Sequence, residues 1–230
     1  MNKYGRVFFV AMVFVCVCLL CQLGALMVST IPAATNGNSN VIVIDPGHGG
    51  FDPGKVGIND ALEKEINLSI SFKLKTALEK EGYEIVLTRT TDTGLNTAND
   101  KSKKSADMRN RVKVINDTKP LLAISIHQNS YPSESVKGAQ VFYYKASEEG
   151  KKLAEIIQES MKRLLDSNNK RVAKDNSNYY MLTHTQCPTV IVECGFLSNQ
   201  QEARMLLDED YQEKVAMAIT NGVKDYVKQK

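Results

Sequence analysis

Val41-Ile42-Val43-Ile44-Asp45-Pro46-Gly47-His48-Gly49-Gly50 is the stretch that decides the fold of this chain. The β-branched apolar run at its start is typical of a buried strand. The run gives way at once to Asp-Pro-Gly and Gly-Gly, which are turn signals. His48 lies in this turn, just past the predicted carboxyl end of the strand, where α/β sheets gather their binding sites. This stretch alone fits a functional histidine and an incidental loop histidine equally well.

Strand and helix patterns alternate from residue 41 to the end of the chain. Apolar side chains at helical spacing predict helices, the clearest of them at 61–81, 153–165 and 211–228. Short apolar runs predict strands at 41–44, 84–87, 121–126, 140–144 and 189–192, and the polar segment 168–178 predicts a loop. Alternation of this kind predicts a single α/β domain whose mostly parallel, twisted sheet carries helices on both faces.

The beginning of the chain has a different composition. Residues 7–28 carry no charge and follow a short segment that contains Lys3 and Arg6. An apolar helix of this length can span a bilayer, and the run is longer than the core of most signal peptides. We therefore predict a membrane anchor or signal segment over residues 1–34, with an uncleaved anchor favoured, and a polar linker at 35–40. Either form exports the rest of the chain.

The overall composition is that of an ordinary globular domain, with 43% hydrophobic and 24% charged residues. The formal net charge is +3, and Lys3 and Arg6 account for part of it, so the rest of the chain carries no electrostatic footprint for nucleic acid. Cys187 and Cys194 flank the predicted strand 189–192, which holds them too far apart for a disulfide. Both are predicted to be buried thiols.

Two of the three histidines, His48 and His127, follow predicted strands. If both strands lie in one parallel sheet, both imidazoles emerge at the same edge. Two histidines and one carboxylate are a common ligand set of catalytic zinc. Glu63, at the start of the helix after His48, is the candidate carboxylate. The alternative is a capping box, with Asp60 as N-cap and Glu63 three residues later.

Glu193 follows the apolar strand predicted at 189–192. A buried carboxylate is costly without a partner, and burial raises its pKa towards the range that suits proton transfer. The alternative is a strand-end glutamate that reaches solvent. His184 is predicted to be a surface or rim residue. The chain contains no HExxH, GxSxG, P-loop or GxGxxG motif.

Further stretches complete a pattern that spans residues 41–230. They are Asp45-Pro46-Gly47-His48-Gly49-Gly50, Asp52-Pro53-Gly54, Glu63-Lys64-Glu65-Ile66-Asn67-Leu68, Leu87-Thr88-Arg89, Arg111 with Asn116, Ser125-Ile126-His127-Gln128-Asn129-Ser130, and Pro188 and Glu193 followed by Gly195-Phe196-Leu197-Ser198-Asn199. In order and spacing these stretches resemble the zinc-dependent N-acetylmuramoyl-L-alanine amidases, the Amidase_3 family. The resemblance identifies residues 41–230 as the catalytic amidase domain.

The resemblance implies an enzyme that cuts the amide bond between N-acetylmuramic acid and L-alanine of the peptidoglycan stem peptide. It implies Zn²⁺ bound by His48, Glu63 and His127. Glu193 takes the place of the catalytic carboxylate. We further expect Asn129 and Arg89, near the same edge, to contact the substrate.

Within the family, a short catalytic domain behind an apolar segment is most similar to the spore-cortex amidases of the CwlD type. This implies a role in cortex maturation or germination, where peptide removal prepares muramic acid for δ-lactam formation by another enzyme. It implies contact with peptidoglycan, and with a membrane through residues 1–34, at the cell wall or in the spore intermembrane space. An activating accessory protein is left open. A zinc peptidase acting within the stem peptide and a non-catalytic peptidoglycan-binding domain are the alternatives.

Overall fold

Six strands form the sheet at the centre of the computed structural model, which describes residues 40–230. They are β1 (Val41–Pro46), β2 (Glu84–Leu87), β3 (Leu122–Asn129), β4 (Gln140–Tyr143), β5 (Lys174–Asp175) and β6 (Thr189–Phe196). The order across the sheet is β2-β1-β3-β6-β4-β5. β2, β1, β3 and β6 run parallel, whereas β4 pairs antiparallel with β6 and parallel with β5. The predicted mostly parallel sheet is confirmed.

Helices cover both faces of this sheet. In the described part of the chain they are α1 (Glu63–Lys80), α2 (Lys103–Thr118), α3 (Glu148–Leu165), α4 (Tyr180–His184), α5 (Gln200–Met205) and α6 (Glu209–Val227). Side chains of β1 alternate between the faces, as strand geometry requires. Ile42 and Ile44 join the large core formed with α1, α3 and α6. Val43 joins a smaller core with Ile115 of α2 and Met181 of α4.

The apolar helix, anchor or signal segment predicted at 1–34 lies outside the described residues, as does the linker apart from its last position. In the described range 40–230, no helix is both long enough and apolar enough to cross a bilayer. These residues form a single α/β domain.

The predictions around β6 need correction. The strand predicted at 189–192 continues to Phe196, because β3 and β4 pair with it beyond Val192. Cys194 therefore lies inside the strand, where it is a buried free thiol, and Cys187 is a partly buried one. The segment predicted as a loop at 168–178 contains β5. Helix α4 was missed, because five residues are too few to show a helical period.

Candidate active site

One pocket at the carboxyl edge of the sheet collects the main predicted site residues. His48 follows β1, and His127 lies near the end of β3, in register with Glu193 of β6. Glu63 is the first residue of α1. All four side chains line one cavity of about 470 Å³. The sequence-based expectation that parallel strands deliver both histidines to one edge is therefore met.

Three of these side chains form a cluster that could hold a metal ion. His48, Glu63 and His127 each offer one ligand atom, and these atoms lie within 4.8 Å of one another. The Glu63 carboxylate lies between the rings, with Oε2 3.3 Å from His48 Nε2 and Oε1 3.0 Å from His127 Nδ1. The imidazoles meet edge to face, with centroids 4.9 Å apart. Two imidazoles and a carboxylate at this spacing fit the donor set that zinc prefers.

Glu63 is available to this cluster because it does not take part in capping α1. Asp60 adopts a φ of +63°, and the helix has no side-chain cap hydrogen bond. The first amides donate to loop carbonyls instead. Glu63 N donates to Lys55 O at 3.0 Å, and Lys64 N donates to Pro53 O at 3.1 Å. The capping box considered from the sequence is therefore wrong.

The Glu63 carboxylate is buried and fully engaged. Oε1 accepts the N–H of Gln128 at 3.0 Å, and Oε2 accepts the N–H of Lys55 at 2.8 Å. Burial raises the pKa of Glu63, but hydrogen bonds from His127 and His48 outweigh burial and hold the pKa far below its usual range. Burial lowers the pKa of His127, but the hydrogen bond with Glu63 and the charge of Glu63 outweigh burial, so the pKa is raised. Glu63 is therefore a permanent anion, which suits a ligand and not a proton carrier.

Glu193 has the opposite environment. Its side chain is buried, and Oε2 has no hydrogen-bond partner among the described residues. Burial raises the pKa of Glu193 to about 7, and Glu63 adds to the rise while His127 and His48 oppose it. An unpartnered carboxylate that titrates near neutrality beside a candidate metal cluster is suited to proton transfer.

Arg89 does not have the position expected of a substrate contact. Its side chain is 3% exposed and lies outside the pocket lining. The guanidinium donates to the carbonyl oxygens of Pro46 at 2.9 Å, Gly47 at 3.0 Å and Lys64 at 2.8 Å. The contacts with Pro46 and Gly47 hold the backbone that leads to His48, and the contact with Lys64 joins this turn to α1. The expected substrate contact therefore needs correction to a role in holding this turn.

A second buried arginine, whose contacts the sequence did not reveal, supports the same turn. Arg111 donates to the carbonyl oxygen of His48 at 2.5 Å and pairs with Asp45 at 2.8 Å. Burial raises the pKa of Asp45, but Arg111 and hydrogen bonds from Ser125 and Thr88 outweigh it and keep the pKa low. The signal available in the sequence was Asp45 itself, because a carboxylate that ends an apolar strand requires a partner.

The start of α4 and the end of β3 also contribute to the pocket. Tyr179, Tyr180 and Asn129 line it. Burial raises the pKa of Tyr179, and the charges of Glu193 and Glu63 add to the rise. His184 is exposed and stacks on Tyr180 with centroids 3.8 Å apart, as expected of a rim residue.

The fold and the site together define an α/β protein with a candidate metal centre beside an acid–base carboxylate. Residues 42–225 match the model of the Amidase_3 family, described as N-acetylmuramoyl-L-alanine amidase. The chain belongs to this family, and the enzyme class predicted from the motifs is confirmed.

Individual relatives agree with this assignment. The germination-specific N-acetylmuramoyl-L-alanine amidase of Bacillus subtilis (strain 168) is 39% identical over 196 residues, covering 84% of this chain and 82% of the relative. The CwlD amidase of Clostridioides difficile, solved in complex with the GerS lipoprotein, superposes with a TM-score of 0.80 at 37% identity, over 83% of this chain and 99% of that one. An N-acetylmuramoyl-L-alanine amidase from Clostridium difficile 630 superposes with a TM-score of 0.75 at 28% identity. The match covers 84% of this chain and 100% of that one.

Proposed function

We propose that this chain is a zinc amidase that releases stem peptides from the muramic acid of peptidoglycan, with His48, Glu63 and His127 as zinc ligands and Glu193 as the proton carrier. One observation carries the assignment. Three donor atoms lie within 4.8 Å of one another, and the same pocket holds Glu193, whose buried Oε2 has no hydrogen-bond partner within residues 40–230. Membership of the amidase family supports the choice of bond.

The residues present fit a catalytic zinc ion. Three protein ligands of the two-histidine, one-carboxylate type are typical of zinc sites that keep a position open for water or substrate. The low pKa of Glu63 keeps that ligand ionised at any physiological pH. When bound, zinc would polarise the scissile carbonyl and make water a stronger nucleophile.

Glu193 then moves the proton. Its carboxylate form takes a proton from the attacking water, and its acid form gives that proton to the amine nitrogen of L-alanine as the C–N bond breaks. A pKa of about 7 makes both forms accessible near neutral pH. The free amino group of L-alanine leaves with the peptide, and the lactyl group keeps the new carboxylate.

Asn129 is our candidate for a substrate contact. It lies at the end of β3 and lines the pocket two residues after His127. Among the described residues, its side-chain oxygen accepts only the neighbouring N–H of Ser130, at 2.8 Å. An amide group at this point can donate to a carbonyl of the glycan or the peptide.

The biological setting is proposed from the relatives. The Bacillus subtilis relative is named germination-specific, and the Clostridioides difficile CwlD amidase was solved with a lipoprotein partner. By analogy we propose that this chain strips peptides from spore cortex, ahead of δ-lactam formation by another enzyme, and that an accessory protein assists it. The exported location and the attachment through residues 1–34 are part of the same proposal.

The test is product analysis with the full-length chain and added zinc, on vegetative sacculi and on spore cortex. We expect peptide-free glycan and stem peptides that begin with a free L-alanine amino group. Glu193→Gln should lower the rate by about 10²- to 10⁴-fold. Glu84→Gln, which changes an exposed glutamate of β2, is the matched control and should keep the wild-type rate.

Other outcomes would redirect the assignment. Cuts within the stem peptide would identify a peptidase. Binding to both substrates without any cleavage would identify a binding domain. Release from vegetative sacculi but not from cortex would contradict the spore role while keeping the amidase activity.

A further inference from the structure

Asp52 lies in the loop between His48 and α1, and its carboxylate is shared between two neighbours. Oδ2 is 3.0 Å from His48 Nδ1, and Oδ1 accepts the N–H of Gly54 at 3.2 Å. The backbone of Asp52 is fixed by reciprocal hydrogen bonds with Gly49, at 3.0 and 3.2 Å. The tight turn therefore holds the Asp52 carboxylate against the imidazole of His48.

The same loop continues directly to the second ligand. Gly54 packs closely against His48 and Glu63. A Cβ added at Gly54 would lie 2.8 Å from His48 Cδ2 and 2.5 Å from Glu63 Oε2. The next amide, Lys55 N, donates to Glu63 Oε2 at 2.8 Å. A segment of four residues thus touches His48 through the side chain of Asp52 and Glu63 through its backbone.

We propose that Asp52 is a positioning residue that sets the tautomer of His48 and fixes His48 relative to Glu63. An ionised carboxylate only accepts hydrogen bonds, so in the metal-free chain Asp52 favours the proton on Nδ1 while Glu63 favours it on Nε2. With zinc held at Nε2, 3.3 Å from Glu63 Oε2, the proton of the neutral ring would stay on Nδ1, where the Asp52 carboxylate accepts it. Carboxylates that accept from the second nitrogen of a ligating histidine orient the ring and raise its basicity. The inference rests on the zinc centre proposed above.

The geometry also explains why an amide cannot replace this carboxylate. Both His48 Nδ1–H and Gly54 N–H require an acceptor, and an asparagine side chain has only one oxygen. If its oxygen stays with Gly54, its NH₂ group meets Nδ1 and favours the tautomer with the proton on Nε2. Asp52→Asn is therefore an isosteric change that removes the charge and works against the ligating tautomer.

Lys104 supplies a matched comparison, because it is a third partner of the same carboxylate. Its Nζ is 3.4 Å from Asp52 Oδ2, and its side chain is 71% exposed. Exposed ion pairs contribute little to the stability of the folded chain. Lys104→Ala therefore removes a neighbour of Asp52 without touching the contact with His48. Asp60→Asn, at an exposed position of the same loop, controls for a lost charge alone.

The experiment measures the zinc dissociation constant of the full-length chain, stripped of metal and titrated against a competing chelator. We expect Asp52→Asn and Asp52→Ala to weaken binding by about 10- to 100-fold. Lys104→Ala and Asp60→Asn should stay within about 2-fold of wild type. The unfolding midpoint of the zinc-free Asp52→Asn chain should match that of the wild type. In the zinc-free chains, nitrogen NMR of the neutral imidazole of His48 should find the tautomer with the proton on Nδ1 more populated in the wild type than in Asp52→Asn.

Three results would overturn the inference. One is wild-type zinc affinity in Asp52→Asn. Another is an unchanged His48 tautomer in that variant. The third is a loss of affinity matched by an equal loss of zinc-free stability, which would assign Asp52 to the folding of the loop. A wild-type chain that binds no zinc would instead refute the proposed centre itself, so the two failures are distinguishable.

Discussion

The start of helix α1 and the second half of strand β6 each place one glutamate in the same pocket, and the two regions treat that glutamate differently. Glu63 sits among donors, with two imidazoles and two backbone amides directed at its oxygens. Glu193 sits in a strand between two other strands and keeps one buried oxygen without a partner among the described residues.

The difference lies in the backbone that surrounds each residue. Lys55 of the loop before α1 and Gln128 of β3 each direct an N–H at Glu63, whereas no donor in the described part of the chain reaches Oε2 of Glu193. The pKa of Glu63 is consequently held low by hydrogen bonds, and burial raises the pKa of Glu193 to about 7. Two titratable groups with pKa values pushed apart in one site are the usual sign of divided roles. We therefore regard one as the ligand and the other as the proton carrier.

The largest expected effect comes from Glu63→Gln. The amide leaves His48 and His127 without the anion that lies between them, so we expect no retained zinc after dialysis and no hydrolysis of sacculi. Metal analysis and product mass spectrometry measure both. Glu65→Gln, an exposed position in the same turn of α1, is the control and should keep zinc and activity. Zinc retained by Glu63→Gln at wild-type affinity would contradict the ligand role.

A smaller effect is expected from Glu193→Gln, which should increase the stability of the zinc-free chain at high pH. The pKa of this carboxyl is raised from 4.5 to about 7, so the folded state prefers the protonated form. Its contribution to stability is complete below pH 4.5 and is lost as the pH rises to about 7. The amide avoids that loss. We expect Glu193→Gln to be more stable than wild type by about 1–3 kcal/mol at pH 8 and equally stable at pH 4.5.

Urea unfolding of the zinc-free chains at the two pH values measures this difference. The exposed Glu84→Gln should change stability little at either pH. Equal stability of wild type and Glu193→Gln at pH 8 would mean that the carboxylate is solvated, and the contrast with Glu63 would fail.

The sequence was sufficient for the parts of the site that depend on strand direction. Parallel strands end at one edge, so His48 and His127 could be placed together from their positions after two apolar runs. Sequence spacing could not decide the role of Glu63, because Asp60-Ala61-Leu62-Glu63 has the pattern of a capping box. The decision comes from loop carbonyls of Pro53 and Lys55, which satisfy the first amides of α1 and release the carboxylate.

Contacts between residues that are distant in the chain could not be predicted from local sequence spacing either. Arg89 was placed correctly near the edge, but only the folded chain shows that its guanidinium points into the turn at Pro46 and Gly47. The pairing of Arg111 with Asp45 joins residues far apart in the chain, and no local period records it. The length of β6 was misjudged because Glu193 interrupts the apolar run, although strand pairing continues past it.

The smallest expected effect is a loss of stability that leaves the candidate active site unchanged. Helix α6, unlike α1, has a side-chain cap, since the Asp208 carboxylate accepts the N–H of Tyr211 at 2.8 Å. Asp208→Ala should lower the unfolding free energy by about 0.5–2 kcal/mol, measured in urea. Asp208 is not among the residues that line the pocket, so zinc affinity and hydrolysis should not change. If zinc affinity fell as well, the position of Glu63 would depend on how α6 packs against α1, and not on the loop carbonyls alone. Unchanged affinity in a destabilised chain would place the control of the metal site in the loop that precedes α1.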